Sequence, residues 1–135
     1  MELRHLISRL RELPGRSISF YEGNRLTRKP YAEVRADVEA VCSRLKASGV
    51  APGMRVGLIA ENCYEWAVFD LALIELGCVL VPFPVEEFAA TTADELAESY
   101  ALRLLLLSEK ERQSRPEERE WITTLTVENF GPVAL

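Results

Sequence analysis

Histidine is almost absent from this chain of 135 residues: His5 is the only one. A metal site needs several ligands, and no Cys-x-x-Cys pair is present to help a lone imidazole. His5 therefore reads as a polar residue on an early helix, and no metal ligand is assigned. Phosphate-binding glycine patterns are also missing. There is no G-x-G-x-x-G and no G-x-x-x-x-G-K-[ST]. The turn Ala60-Glu61-Asn62, which follows the first apolar strand, contains no glycine that would let backbone amides close on a phosphate. No cofactor-binding residue is assigned.

Long apolar runs are lacking as well. The most apolar stretch, Trp66 to Pro82, is interrupted by Asp70, Glu75 and Gly77, whereas a membrane helix needs about 20 apolar residues with few charges. Met1-Glu2-Leu3-Arg4-His5 does not open an apolar leader. No basic stripe offsets the formal net charge of -5, which disfavours nucleic acid and anionic membrane as partners. The three cysteines, Cys42, Cys63 and Cys78, are odd in number and show no pairing pattern. That usage fits reduced thiols and a cytoplasmic location.

With 48% hydrophobic and 27% charged residues, the chain has enough apolar surface for one folded domain rather than a disordered tail. Leu3, Leu6, Ile7, Leu10 and Leu13 recur at helical spacing, so a helix is expected over residues 2–13, ended by Pro14-Gly15. Ser17 to Tyr21 and Arg25 to Thr27 flank a Gly-Asn turn and predict a β-hairpin. Val34, Val38, Val41, Cys42 and Leu45 form one face of a helix over 31–48. Gly49 stops it, and Pro52-Gly53 makes a turn.

Arg55 to Ala60 reads as a buried strand. Asn62 and Glu65 are placed to cap a helix over 63–76 as a capping box. That helix is apolar on nearly every side, which implies packing on two faces. Cys78 to Val81 predicts another strand, stopped by Pro82 and Pro84. Thr92-Ala93-Asp94-Glu95 is a second capping-box pattern, opening a helix to Tyr100. Leu104 to Leu107 predicts a further strand. Ser108 to Glu120 reads as an exposed loop or short polar helix, and Trp121 to Phe130 as a last strand. Alternating strands and helices imply a mostly parallel α/β sheet with flanking helices.

Few residues have the setting that chemistry needs, and no catalytic residue is assigned. Cys63 lies at a helix start, where a thiol pKa can be lowered, but it also reads as a packed first-turn residue. The acidic pairs Glu86-Glu87, Asp94-Glu95 and Glu117-Glu118 lie in loops or helix starts, where solvation and the helix dipole account for them. Tyr64, Trp66 and Phe69 sit at helical spacing within an apolar helix and read as core.

The order of several segments resembles the adenylate-forming (AMP-binding) superfamily. Lys29-Pro30-Tyr31-Ala32-Glu33-Val34 is similar to its first core motif, with Tyr31 and Glu33 at the matching positions. Ser48 to Val56 resembles a G-V-x-x-G-D-R-V segment, contributing Gly53 and Arg55. Ala60 to Trp66 resembles the N-x-x-E-W helix start, with Asn62, Glu65 and Trp66. Leu76 to Pro82 is similar to L-G-A-x-x-V-P, with Gly77 and Pro82. Ala93 to Ser108 is similar to the element that follows. Pro30 and Met54 depart from the pattern, at positions where the motifs are structural.

The resemblance implies an N-terminal helix over 1–15, a family-like core over 16–108, and a polar loop with a terminal strand over 109–135. Together these make one N-terminal subdomain of an adenylation domain. It implies a parent acyl-CoA synthetase, fatty acyl-AMP ligase or peptide-synthetase adenylation domain that uses ATP and Mg²⁺ to form acyl-AMP. The acyl group would then pass to CoA or to an acyl carrier protein. The phosphate-cradling loop of that family would follow residue 130, and the chain reaches Leu135 without it. The expectation is a truncated scaffold, inactive alone, completed in cis or trans by the rest of the domain. The other reading is a free-standing α/β docking module without catalysis. In either case exposed apolar surface would favour self-association.

Overall fold

A computed structural model describes residues 5–115 and 122–124. α1 (Leu6–Arg9) runs on into one 3₁₀ turn, Leu10–Glu12. The first helix is thus shorter than its apolar spacing predicts and tightens at its end; residues 2–4 lie outside the described part. β1 (Ser17–Glu22) and β2 (Arg25–Pro30) form the expected hairpin, antiparallel, with Tyr21 opposite Leu26.

α2 (Tyr31–Ala47) buries the five residues read from its periodicity: Val34, Val38, Val41, Cys42 and Leu45. β3 (Arg55–Ile59), α3 (Tyr64–Glu75) and β4 (Val79–Pro82) follow as a β-α-β unit. Next come α4 (Val85–Phe88), a single turn that the sequence patterns do not reveal, and α5 (Ala93–Tyr100). β5 (Leu104–Leu107), α6 (Glu109–Ser114) and β6 (Ile122–Thr124) complete the described chain. Of the strand expected over 121–130, only β6 lies in the described part. The hairpin stands apart as its own sheet, while the other four strands are all parallel in the order β4-β3-β5-β6.

Alternation along the central strands divides the core into two layers. Val56, Leu58, Leu104 and Leu106 face one side and pack with residues of α1, α2 and α3. Ile59, Leu105 and Leu107 face the other, with Phe83, Ala93, Leu96 and Leu102. All four residues of β5 are buried, as a strand covered on both faces requires. Burying a leucine side chain is worth roughly 1.5–3 kcal/mol, so this short strand contributes heavily to the core.

Gly57 is the exception in β3. A Cβ there would lie 2.8 Å from Leu102 Cδ1 and 2.8 Å from Leu105 Cδ1, and 3.0 Å from Phe83 Cε2. Its bare backbone lets the second layer close onto the sheet.

The caps largely follow the sequence. Thr92 and Glu95 form the capping box of α5, with Glu95 N–H donating to Thr92 Oγ1 at 3.2 Å and Thr92 N–H to Glu95 Oε2 at 2.8 Å. α3 corrects the expectation. Its N-cap is Cys63, whose Sγ accepts the Trp66 N–H at 3.4 Å, and Asn62 lies one residue outside. α5 ends on Ala101 with φ 52°, a left-handed position that a β-carbon strains.

α6 realises the short-helix alternative for residues 108–120, but not as a wholly exposed element. Glu111 and Arg115 are buried. Arg115 donates from its guanidinium to the Phe88 and Thr91 carbonyls, binding the end of α6 to the α4–α5 connection.

Candidate functional site

Chain connectivity places the candidate site. The connection from β3 through α3 leads to β4 on one side of β3, whereas the connection through α4 and α5 leads to β5 on the other. In open α/β sheets the loops diverge at such a reversal, and the crevice beyond the carboxyl ends of the strands is where ligands bind. Here the diverging loops are Ala60–Cys63 after β3 and Ser108 after β5. A cleft of about 310 Å³ opens between them and the turn of the β1–β2 hairpin. Its lining includes Tyr21 and Glu22 from the hairpin, Glu61 and Glu65 from the β3–α3 region, and Ser108 and Lys110 from the start of α6.

An aromatic and charged cluster holds the hairpin over this cleft. Phe20 stacks on Tyr64 with ring centroids 4.8 Å apart. Tyr64 Oη donates to Asp37 Oδ2 at 2.5 Å. Lys29 Nζ donates to the same oxygen at 3.4 Å and stands 4.3 Å from the centre of the Tyr64 ring. One residue from each hairpin strand and one from α2 therefore meet at a single buried tyrosine of α3. Burial raises the Tyr64 phenol well above its ordinary pKa, and the Asp37 carboxylate raises it further. The ring remains a neutral hydrogen-bond donor. The expectation that Tyr64 and Phe69 are core residues is met, and Trp66 is partly buried against the same hydrophobic core.

Within the cleft lining, Lys110 Nζ and Glu61 Oε1 are 2.8 Å apart. Each shifts the other toward its charged form: the Glu61 carboxyl is lowered and the Lys110 ammonium raised. Both side chains are largely exposed, so the pair joins the β3–α3 loop to the first turn of α6 with little effect on stability. Ser108 is committed to capping α6, its Oγ accepting the Glu111 N–H at 3.3 Å.

These commitments limit the chemistry available. Glu22, Glu61 and Glu65 line the cleft alongside one ammonium, Lys110, that is already paired with Glu61, an acidic balance that repels polyphosphate. The Trp66 amide in the first turn of α3 is taken by Cys63. Cys63 itself is not an activated thiolate. Although the residue is exposed overall, partial desolvation of its sulfur against that turn raises the thiol, outweighing the opposing hydrogen bond from Trp66. His5 does not line the cleft. Among the described residues no three His, Cys, Asp or Glu side chains gather as a metal-binding set. Cys42, Cys63 and Cys78 are all free thiols. No helix among the described residues is long and apolar enough to cross a membrane.

The residues singled out by the family resemblance fall in three places. Gly53, Arg55 and Gly77 lie at the amino ends of the parallel strands. Gly53 N–H donates to the Gly77 carbonyl at 2.9 Å, and both glycines hold positive φ, 83° and 71°. Arg55 Nε donates to the Tyr100 carbonyl at 2.6 Å, fastening the end of α5. Asn62, Glu65 and Trp66 lie at the opposite end of the sheet, around the start of α3, and Pro82 ends β4. Tyr31 and Glu33 begin α2, where the Tyr31 N–H donates to the Arg16 carbonyl at 2.9 Å. The cleft thus gathers Asn62 and Glu65 but none of the other seven. Sequence patterns do not single out the Tyr64–Asp37–Lys29 cluster or the Glu61–Lys110 pair, because each joins segments that only topology brings together.

Comparison with known proteins agrees with the resemblance. The model of a family described as AMP-binding enzyme matches residues 8–131. The sequence is similar to the mitochondrial medium-chain acyl-CoA ligase ACSF2 of Danio rerio, 39% identical over 54 residues, a stretch covering 40% of this chain and 9% of the ligase. The fold is similar to that of NpsA-ThdA, an artificially fused adenylation-PCP di-domain NRPS from Klebsiella oxytoca. There the TM-score is 0.73 at 18% identity, over 97% of this chain and 24% of that one. It is also similar to the fatty acyl-adenylate ligase of L. pneumophila, solved with acyl adenylate and pyrophosphate. That match has a TM-score of 0.75 at 16% identity, over 96% of this chain and 24% of the other. This chain therefore spans about a tenth of the curated relative's length and about a quarter of each solved one. The α/β fold with its parallel sheet is that of part of an adenylation domain, and with the family match extending over residues 8–131 the chain belongs to the AMP-binding enzyme family.

Proposed function

We propose that this chain is the scaffold portion of an ATP-dependent ligase that activates a carboxylic acid as acyl-AMP and passes the acyl group to CoA or to a carrier-protein phosphopantetheine. The family match over residues 8–131 carries the reading. The likeness to an acyl-CoA ligase supports CoA as acceptor. The likeness to an adenylation-PCP di-domain supports a carrier protein. On this reading the partner of first importance is the remainder of the adenylation domain, in cis or in trans.

ATP and Mg²⁺ would serve the full-length enzyme. The described residues do not fit either group: the cleft is acidic, its one ammonium is paired, and no metal-binding set is present among them. Adenylyl transfer needs fixed donors and cations around the developing charge. In this reading those groups come from elsewhere in the parent enzyme. The chain's own residues keep the strand ends, helix starts and hairpin in place.

The chain alone is expected neither to bind ATP tightly nor to form acyl-AMP. Calorimetry of the 135-residue chain with MgATP should show no heat of binding at micromolar ligand. Carboxylate-dependent exchange of pyrophosphate into ATP should appear only when the chain is expressed with the remainder of its adenylation domain. Micromolar ATP binding by the chain alone would sink the proposed inactivity, and absence of exchange in the completed protein across a panel of alkyl and aryl acids would sink the ligase assignment.

A further inference from the structure

A second groove lies away from the cleft, between the 3₁₀ turn that follows α1 and the start of α2, with a volume of about 450 Å³. Leu10, Leu13 and Tyr31 contribute apolar surface, and Arg11, Arg16 and Arg35 add three guanidinium groups. Leu13 is one of the few large apolar side chains that stand substantially exposed, at 46%. Among the described residues no carboxylate lines the groove. Glu39, just outside it, serves two of the arginines, with Arg35 Nε at 2.8 Å and Arg11 at 3.6 Å from the same oxygen. Arg16 has no ion pair among the described residues. The groove therefore keeps a local excess of positive charge on a chain whose formal net charge is -5.

We infer that this groove docks an acidic amphipathic peptide segment of a partner protein. Such a segment would set a leucine or phenylalanine against Leu10, Leu13 and Tyr31 and offer Asp or Glu to Arg16 and its neighbours. Charge complementarity selects this occupant. An apolar side chain alone would leave the guanidinium groups unanswered, and a basic segment would be repelled. An anionic bilayer fits less well. Membrane-binding clusters carry about 4–8 basic residues, more than this groove offers, and the acidic chain opposes approach to such a surface. The groove floor is held in shape by the Tyr31 N–H donating to the Arg16 carbonyl, a backbone contact that leaves the Arg16 side chain outward. The inference does not depend on the ligase reading.

Fluorescence anisotropy with the full chain tests it. The probes are two labelled peptides with the same leucine and phenylalanine positions, one bearing Glu and the other Lys between them. The Glu peptide should bind saturably and at least about tenfold more tightly than the Lys peptide, with affinity falling as NaCl is raised. Arg16→Glu should abolish or invert that preference while leaving the thermal melt unchanged. Leu13→Asn should weaken the Glu peptide without changing which peptide is preferred. Equal binding of both peptides, no saturable binding, or indifference to Arg16→Glu would overturn the docking site. Co-sedimentation with phosphatidylserine vesicles that Arg16→Glu abolishes would reassign the groove to a membrane surface.

Discussion

Tyr64 and Asp37 are 27 residues apart in the chain, yet the Tyr64 hydroxyl donates to Asp37 Oδ2 at 2.5 Å, joining the first turn of α3 to the second turn of α2. Lys29 adds a cation above the ring and Phe20 stacks against it. Removing the hydroxyl tests how much of the hairpin's attachment rests on this bond. Tyr64→Phe keeps the stacking surface but leaves the Asp37 carboxylate without that donor. The expected loss is about 1.5–3 kcal/mol, the range for hydrogen bonds to charged groups, measured by urea unfolding. If the bond holds the hairpin down, amide exchange in β1 and β2 should quicken more than in β3. A variant as stable as the parent, with unchanged hairpin exchange, would show that stacking alone holds the hairpin.

Gly57 is expected to tolerate no side chain without a cost. Its missing Cβ would meet Leu102, Leu105 and Phe83 at 3.0 Å or less. Gly57→Ala should destabilise the chain by about 1–3 kcal/mol through overpacking, with Gly57→Val worse. Shortening Leu102 in the same chain should recover part of the loss, because it clears one of the three contacts. Thermal melts of the single and double variants decide the matter; strictly additive losses would count against a steric cause.

Asp70 should impose a pH-dependent cost. It lies partly buried on α3, and burial raises its carboxyl pKa. A folded-state value above the unfolded one means that the ionised form is less welcome in the fold. The cost is full above the folded value and disappears as the pH falls below the unfolded one. Asp70→Asn should therefore raise the melting temperature at pH 7, and the gain should shrink toward zero near pH 3. Glu39 runs the other way. Hydrogen bonding to Arg35 lowers its pKa, so its contribution is present above the unfolded carboxylate range and is lost as the pH falls through the folded value. A benefit of Asp70→Asn that is equal at both pH values would point to helix propensity instead of ionisation.

What could be read from the sequence was whatever depends on near neighbours. The 3.6-residue spacing of Val34, Val38, Val41 and Leu45 specifies the buried face of α2 without reference to the rest of the chain. The Thr92–Glu95 box closes within one turn, and the glycines at 53 and 77 mark positive-φ stops. The cap of α3 lies one residue beyond the sequence expectation because Asn62 and Cys63 are adjacent acceptors, and only the backbone path decides which one reaches the Trp66 amide. Glu111 and Arg115 look solvated in a charged run, yet both are buried once α6 folds back toward the α4–α5 connection. The cleft was the least legible feature. Lys110 and Glu61 are 49 residues apart, and nothing in either segment announces the other. Their meeting follows from the reversal of strand order, which neither periodicity nor capping encodes.

That reversal also sets a schedule for synthesis. When residues through β4 have left the ribosome, β3 has a partner on one side only; its other flank waits for Leu104–Leu107, more than twenty residues later. In the interval the nascent chain presents an open strand edge and the uncovered Ile59 face, surfaces that invite wrong pairing. A pause in translation between β4 and β5 would hold the chain at its stickiest length, and a premature stop would release it there, so this stretch is where holdase chaperones are expected to engage it.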